Sequence, residues 1–270
     1  MEELLGCVFS NYDIRDYTLK SNKETLPEAF ACNMIIPIKN QGSVSSCVAH
    51  ACSSILEYHT NPYRLLSTNF IYGIQKELFN REDKGMILRD ACKIIANYGS
   101  PDLPLCPGND EVPKCHKIAS TAMEDESIVA NAWQYRILKY FKCKNIDDIK
   151  YAVYNYGPVL IAYKWYKDYK VKDCVLIGEQ KEYSGGHALV VYGWNEVGLM
   201  VQNSWGPFWG KRGRCVIPYS IPFREAYGIV DATNEEVKNL KQPVKNSFTN
   251  LIYKAINFLV NLIRKLINKD

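Results

Sequence analysis

The chain has only four histidines, at positions 50, 59, 116 and 187, and no Cys-x-x-Cys pair among its ten cysteines. Without closely paired cysteines the common structural zinc patterns are excluded. The nearest thing to a metal cluster is Cys106, Cys115 and His116, which lacks a second ligand pair. A loop disulfide or two free thiols is therefore expected at Cys106 and Cys115, and no metal or cofactor is expected anywhere. The cysteines are also too dispersed over 270 residues to frame a small disulfide-stapled scaffold. No charge sign dominates: 33 Lys and Arg against 29 Asp and Glu leave +4, interspersed along most of the chain, so no nucleic-acid partner is expected. The start, MEELLGCVFSNYD, has two acidic residues where a secretory leader needs basic ones, and its apolar run is too short.

With 47% hydrophobic residues the chain can bury a sizeable core. Residues 1 to about 30 read as short extended or turn-like pieces. Helical spacing of apolar residues predicts helices over Cys47–Tyr58, Thr68–Leu78 and Met86–Tyr98, the last stopped by Gly99 and Pro101. Residues 100–125, with Pro101, Pro104, Pro107, Gly108 and Pro113, read as loop. Then the pattern changes. Strands are predicted over Trp133–Phe141, Val159–Tyr163, His187–Tyr192, Leu199–Asn203 and Arg214–Pro218, with one helix over Ile146–Tyr156 capped by Asn145 or Asp147. Helices first and strands later imply an α+β protein of two unlike lobes, about 30–120 and 121–235, within a domain of residues 1–235.

Four residues carry candidate chemistry. A cysteine attacks carbonyls as a thiolate, and both a helix N-terminus and a neighbouring imidazolium favour that form. Cys47 stands where a helical pattern begins, after small residues including Ser46 that would leave its sulfur open. His187 follows Gly185-Gly186, where a backbone can approach closely, and opens the apolar strand HALVVYGW. Asn203, sixteen residues on (203 − 187), has a carboxamide oxygen that can fix an imidazole, and Trp205 beside it could shield that bond from water. Gln41, six residues before Cys47 (47 − 41), and the Cys47 amide are candidate oxyanion donors. Taken singly, a buried structural thiol and a hydrogen-bonded strand histidine are the ordinary readings of Cys47 and His187. Their concurrence with Gln41 and Asn203 outweighs those readings.

QGSVSSCVAHA, GGHALVVYGW and QNSWGPFWGKRG, in this order, resemble the papain-like cysteine peptidase family over roughly residues 30–230. The 140 residues between Cys47 and His187 (187 − 47) fall within the roughly 130–150 of that family. The resemblance implies a papain-like α+β fold, with a helical lobe, a β-barrel-like lobe and a cleft between them. It also implies nucleophile Cys47, general base and acid His187, orienting Asn203 and oxyanion donor Gln41, with Trp205 covering the histidine–asparagine pair. Polypeptide substrates would contact Ser46, Gly186 and Trp205. Lys84-Gly85-Met86 falls where the family binds substrate backbone as an added strand, making Gly85 a backbone contact and Met86 a specificity-subsite residue.

The chain departs from the family at Val44, where a disulfide cysteine is usual, at Val48, usually aromatic, and at Ser45, usually glycine. Only some 40 residues precede Gln41, too few for the usual inhibitory pro-segment. Together these departures imply a divergent intracellular, bacterial or viral branch, cytoplasmic or virus- or phage-associated. Two other activities remain open on the same residues: transpeptidation or amide hydrolysis on a non-protein peptide substrate, and non-catalytic peptide binding. The tail, 236–270, forms a separate basic amphipathic stripe with Leu251, Ile252, Ile256, Leu259, Ile263 and Leu266 on one side. Charge interrupts it too often for a bilayer span. It is expected to pack on the protein body, or else to dock on a membrane surface or a partner.

Overall fold

The computed structural model describes residues 5–11, 13, 16–18, 25–34, 36–79 and 85–231. The tail helix expected over 236–270 lies outside the described residues.

The first part is helical. After β1 (Cys7–Val8) and β2 (Phe30–Ala31), α1 runs over Cys47–His59, followed by α2 (Thr68–Gly73) and α3 (Gln75–Phe79). The helix expected over Thr68–Leu78 is thus broken at Ile74. Ser67 caps α2 by accepting from Phe70 N–H at 2.9 Å, satisfying one orphan donor of its first turn. Then come β3 (Met86–Ile87) and α4 (Leu88–Asn97), so the first two residues of the helix expected from Met86 are a strand instead.

Residues 100–125 are not all loop. After a 3₁₀ turn at Leu103–Leu105, α5 occupies Val112–Glu124 and α6 Glu126–Trp133. Pro113 sits in the first turn of α5, where a proline forfeits no helical hydrogen bond, so it initiates a helix rather than breaking one. Trp133 accordingly ends α6, and the strand expected from it, β4, begins at Ile137 and ends at Cys143.

In the remainder, α7 (Ile146–Tyr156) has the predicted boundaries: Asn145 Oδ1 accepts from Asp148 N–H at 2.8 Å, and Gly157 follows with φ +98°. The strands are β5 (Val159–Tyr166), β6 (Lys170–Lys172), β7 (Val175–Ile177), β8 (Tyr183–Trp194), β9 (Gly198–Gln202), β10 (Arg214–Pro218) and β11 (Phe223–Asp231). They form a nine-stranded sheet in the order β4-β11-β5-β8-β9-β10-β7-β6, with β2 added alongside β8.

β5 and β8 are buried along nearly their whole length because the sheet is covered on both faces. Alternation sorts their side chains. Leu160, Ala162, Ala188, Val190 and Tyr192 join the core that contains α1, α2 and α4, whereas Val159, Ile161, Leu189 and Val191 join the core under α7, as does Trp194 beyond the register shift between Val191 and Gly193. In α1 the small residues Ala49, Ala51, Ser53 and Ser54 are all buried, allowing the helix close approach to its neighbours. Its buried Glu57 is satisfied by Lys39 Nζ at 2.6 Å and Leu66 N–H at 2.8 Å. Neutralising a buried carboxylate with several donors is what keeps it compatible with the core.

Candidate active site

The N-terminus of α1 and the edge of β8 meet at the sulfur of Cys47. The thiol lies at the first residue of α1, and the backbone amide of Ala188 in β8 donates toward it. His187, one residue earlier on β8, packs against Trp165 of β5 and against Trp205. Its Nε2 lies 2.7 Å from Asn203 Oδ1. The same oxygen accepts from Ser204 N–H at 2.7 Å. A backbone N–H can only donate, so this bond fixes the carboxamide with its oxygen toward the ring. His187 therefore carries its proton on Nε2, and Nδ1, buried with no hydrogen-bond partner, keeps a lone pair. That is the tautomer able to take a proton from a thiol.

Aromatic rings enclose the histidine. Trp205 stacks on the imidazole at 4.2 Å between centroids and 18° between planes. Trp165 meets both rings edge-on, at 5.0 Å from His187 and 5.2 Å from Trp205, and Trp209 lies 5.5 Å from Trp205. Trp209 is half-buried and packs against the core under α7.

Gln41 is buried and oriented from both ends. Its Oε1 accepts from Ser204 Oγ at 2.7 Å, and its Nε2 donates to Val44 O at 3.1 Å. Its backbone N–H donates to Ser204 O at 2.9 Å, tying the loop before α1 to the loop after β9. The amide of Cys47 stands at the start of α1, at the end of the loop that begins with Gln41. Ser46 is buried, and its hydroxyl lies 3.2 Å from His50 Nδ1, so its side chain faces α1.

The expectation that the sulfur lies open to solvent is overturned: Cys47 is 0% exposed. The cover is the chain's own N-terminal segment. The amide of Gly6 donates toward the Cys47 sulfur, Gly6 O accepts from Met86 N–H at 2.8 Å, and β1 pairs in parallel with β3. Gly85, with φ +115°, precedes β3, and Cys7 and Val8 pair with Met86 and Ile87 of that strand. Close packing explains the glycines. A Cβ at Gly6 would come within 2.0 Å of Ser45 O, and one at Gly186 within 2.1 Å of Cys7 O. The segment continues to Ser10, whose N–H donates to Glu225 Oε1 at 3.1 Å, and Arg89 donates to Asn11 O at 2.8 Å.

This cover sets the electrostatics. Burial pushes the Cys47 thiol up to about 11, against the opposing pull of the amides of Ala188 and Gly6. Burial also pushes His187 down to about 4, opposed by Asn203. Loss of water disfavours either charge, so at neutral pH both groups are uncharged.

Trp165 and residues 5–10 were not among the candidates read from the sequence. Trp165 continues the odd-numbered face of β5 and could have been found by extending that alternation. A two-residue strand carries no periodic signal.

Cys106 and Cys115 are free thiols. His116 lies in α5, with Nδ1 2.8 Å from Gly73 O.

The chain matches the family described as papain family cysteine protease over residues 27–229. An uncharacterized peptidase C1-like protein of Acanthamoeba polyphaga mimivirus is 27% identical over 248 residues, covering 83% of this chain and 77% of that protein. Cathepsin B-like cysteine proteinase 3 of Caenorhabditis elegans is 25% identical over 233 residues, 70% of this chain and 61% of the relative. Among solved structures, xylellain, a cysteine protease of Xylella fastidiosa, superposes with a TM-score of 0.74 at 21% identity, covering 84% of this chain and 96% of that one. A Carica candamarcensis cysteine protease in complex with E-64 gives 0.59 at 16% identity, over 76% and 99%. The fold is the mixed α+β papain-like fold, and the chain belongs to the papain family of cysteine proteases.

Proposed function

We propose that the protein is a cysteine endopeptidase held latent by its own N-terminal segment. The observation that carries this is the His187 Nε2–Asn203 Oδ1 bond of 2.7 Å, which leaves the Nδ1 lone pair on the strand whose Ala188 amide reaches the Cys47 sulfur. When residues 6–8 leave, water and a peptide take their place, and the burial that holds both groups neutral is relieved. His187 Nδ1 takes the Cys47 proton, and the thiolate attacks the peptide carbonyl carbon. The Cys47 amide and Gln41 Nε2 stabilise the oxyanion. Protonated His187 gives its proton to the leaving amine as the C–N bond breaks, leaving a thioester, and then activates water to hydrolyse it.

Incubation with a broad epoxide-type thiol inhibitor, followed by peptide mapping, tests this reading. A single adduct on Cys47 is expected once the segment is displaced, and an adduct elsewhere contradicts it. The same acyl-enzyme could instead transfer to an amine. Products formed with and without an added amine nucleophile distinguish a transpeptidase from a hydrolase. The membrane-docking reading of residues about 245–268 is tested by liposome co-sedimentation of full-length and tail-deleted protein, with equal partitioning defeating it.

A further inference from the structure

Beside Asn203 lies a cavity of about 10 Å³ between α1 and β8, whose polar lining is His50, Ser54, Gln202, Asn203 and Ser204. It is about large enough for one water molecule. Asn203 is 3% exposed, and its Nδ2, the end of the carboxamide turned away from His187, has no hydrogen-bond partner. A buried amide donor of this kind ordinarily finds one.

The other polar end of the cavity is His50, one turn into α1. Its Nδ1 lies 3.0 Å from Ser46 O, an atom that only accepts. Nδ1 is therefore the protonated nitrogen, and Nε2 is left as an acceptor. Burial holds this ring neutral at ordinary pH, with the charge of Lys39 acting in the same direction. The cavity thus has a donor without a partner at one end and a ring acceptor at the other.

We propose that His50 is a positioning residue: a buried water accepts from Asn203 Nδ2 and donates to His50 Nε2, and so holds Asn203 Oδ1 on the His187 ring. Its catalytic consequence rests on the peptidase reading, but the placement itself does not. The hydrogen bonds of the His50 ring run to Ser46 and not to the thiol. His50 ties the orientation of the orienting asparagine to the same helix that carries the nucleophile, so that Cys47 and His187 are set by one rigid element.

The test uses the full chain labelled with ¹⁵N-histidine, and the readout is exchange of the His187 Nε2–H proton with water. His50→Phe fills the ring volume but removes the acceptor, whereas His50→Gln supplies a carbonyl acceptor. In His50→Phe this proton exchanges about tenfold faster or more, while backbone amide exchange in β8 stays unchanged. His50→Gln restores protection to within about threefold of the native value. Unchanged exchange in His50→Phe overturns the proposal. So does faster exchange spread equally over the β8 amides, which would mark a general loosening of the fold. Because this readout needs no turnover, a protein that hydrolyses no peptide would sink the peptidase reading and leave this one standing or falling by itself.

Discussion

The imidazole of His187 and the indole of Trp205 lie nearly parallel, 18° apart with centroids separated by 4.2 Å. This contact shields the 2.7 Å bond between His187 Nε2 and Asn203 Oδ1, and water is the competitor that would otherwise exchange for either partner. Trp205→Ala opens that face. His187 is then expected to titrate nearer its ordinary value, because burial is the chief cause of its depression. The kcat of the displaced form is expected to fall by about tenfold, as the ring loses its fixed orientation. Following the His187 ring proton by NMR across pH 4–8 checks the first expectation, and a titration identical to the native protein contradicts it.

The N-terminal cover makes a second prediction. Gly6 passes so close to Ser45 that an added Cβ would lie 2.0 Å from its carbonyl oxygen. Gly6→Ala must therefore lift the segment, and Cys47 should react with iodoacetamide about tenfold faster or more, since a clash against backbone exceeds about 1.4 kcal/mol. Mass spectrometry of the Cys47 peptide at timed intervals measures this. An unchanged rate would mean that the segment does not guard the thiol.

Gln41 is held by Ser204 and Val44, so its amide is oriented before any substrate arrives. Removing one oxyanion donor typically costs about 10²–10³ in kcat. Gln41→Ala should show a loss of that order with KM little changed. A loss confined to KM would make Gln41 a substrate-binding residue instead.

Stability should fall with acid in a defined window. His50 and His187 are held near 4 by burial, against an ordinary 6.5. Between those values the unfolded chain binds protons that the folded chain refuses, so stability is complete above about pH 6.5 and is lost as the pH falls toward 4. Each ring contributes a slope of about 1.4 kcal/mol per pH unit at most. Denaturant unfolding at pH 7, 6 and 5 reads the slope, and His50→Phe should reduce it. Equal slopes in the two proteins would show that His50 titrates normally in the folded state.

The parts of this architecture written locally were the legible ones. The ends of α7 followed from the Asn145 cap and the glycine after Tyr156, and the family from three ordered stretches around Cys47, His187 and Asn203. Long-range features were hidden. β11 was missed, although it fills a central place between β4 and β5, because its buried run FREAYGIVD has no glycine punctuation before the tail. α5 reads as loop in the sequence because a proline in a first helical turn looks the same as a breaker. The burial of Cys47 was misread for a similar reason. Its small neighbours do leave a gap, but Gly6 fills that gap, using a strand edge at Met86 that lies 80 residues further on (86 − 6).

If Cys47, paired with His187, breaks peptide bonds, it should do so once the N-terminal segment no longer covers the thiol. Cleavage of a peptide library by the full chain and by Cys47→Ala, each before and after limited proteolysis of the N-terminal residues, tests it most directly. Little cleavage is expected before proteolysis, clear cleavage afterwards, and none by Cys47→Ala under either condition. Equal cleavage by the two proteins, or none by the trimmed native chain, would contradict it.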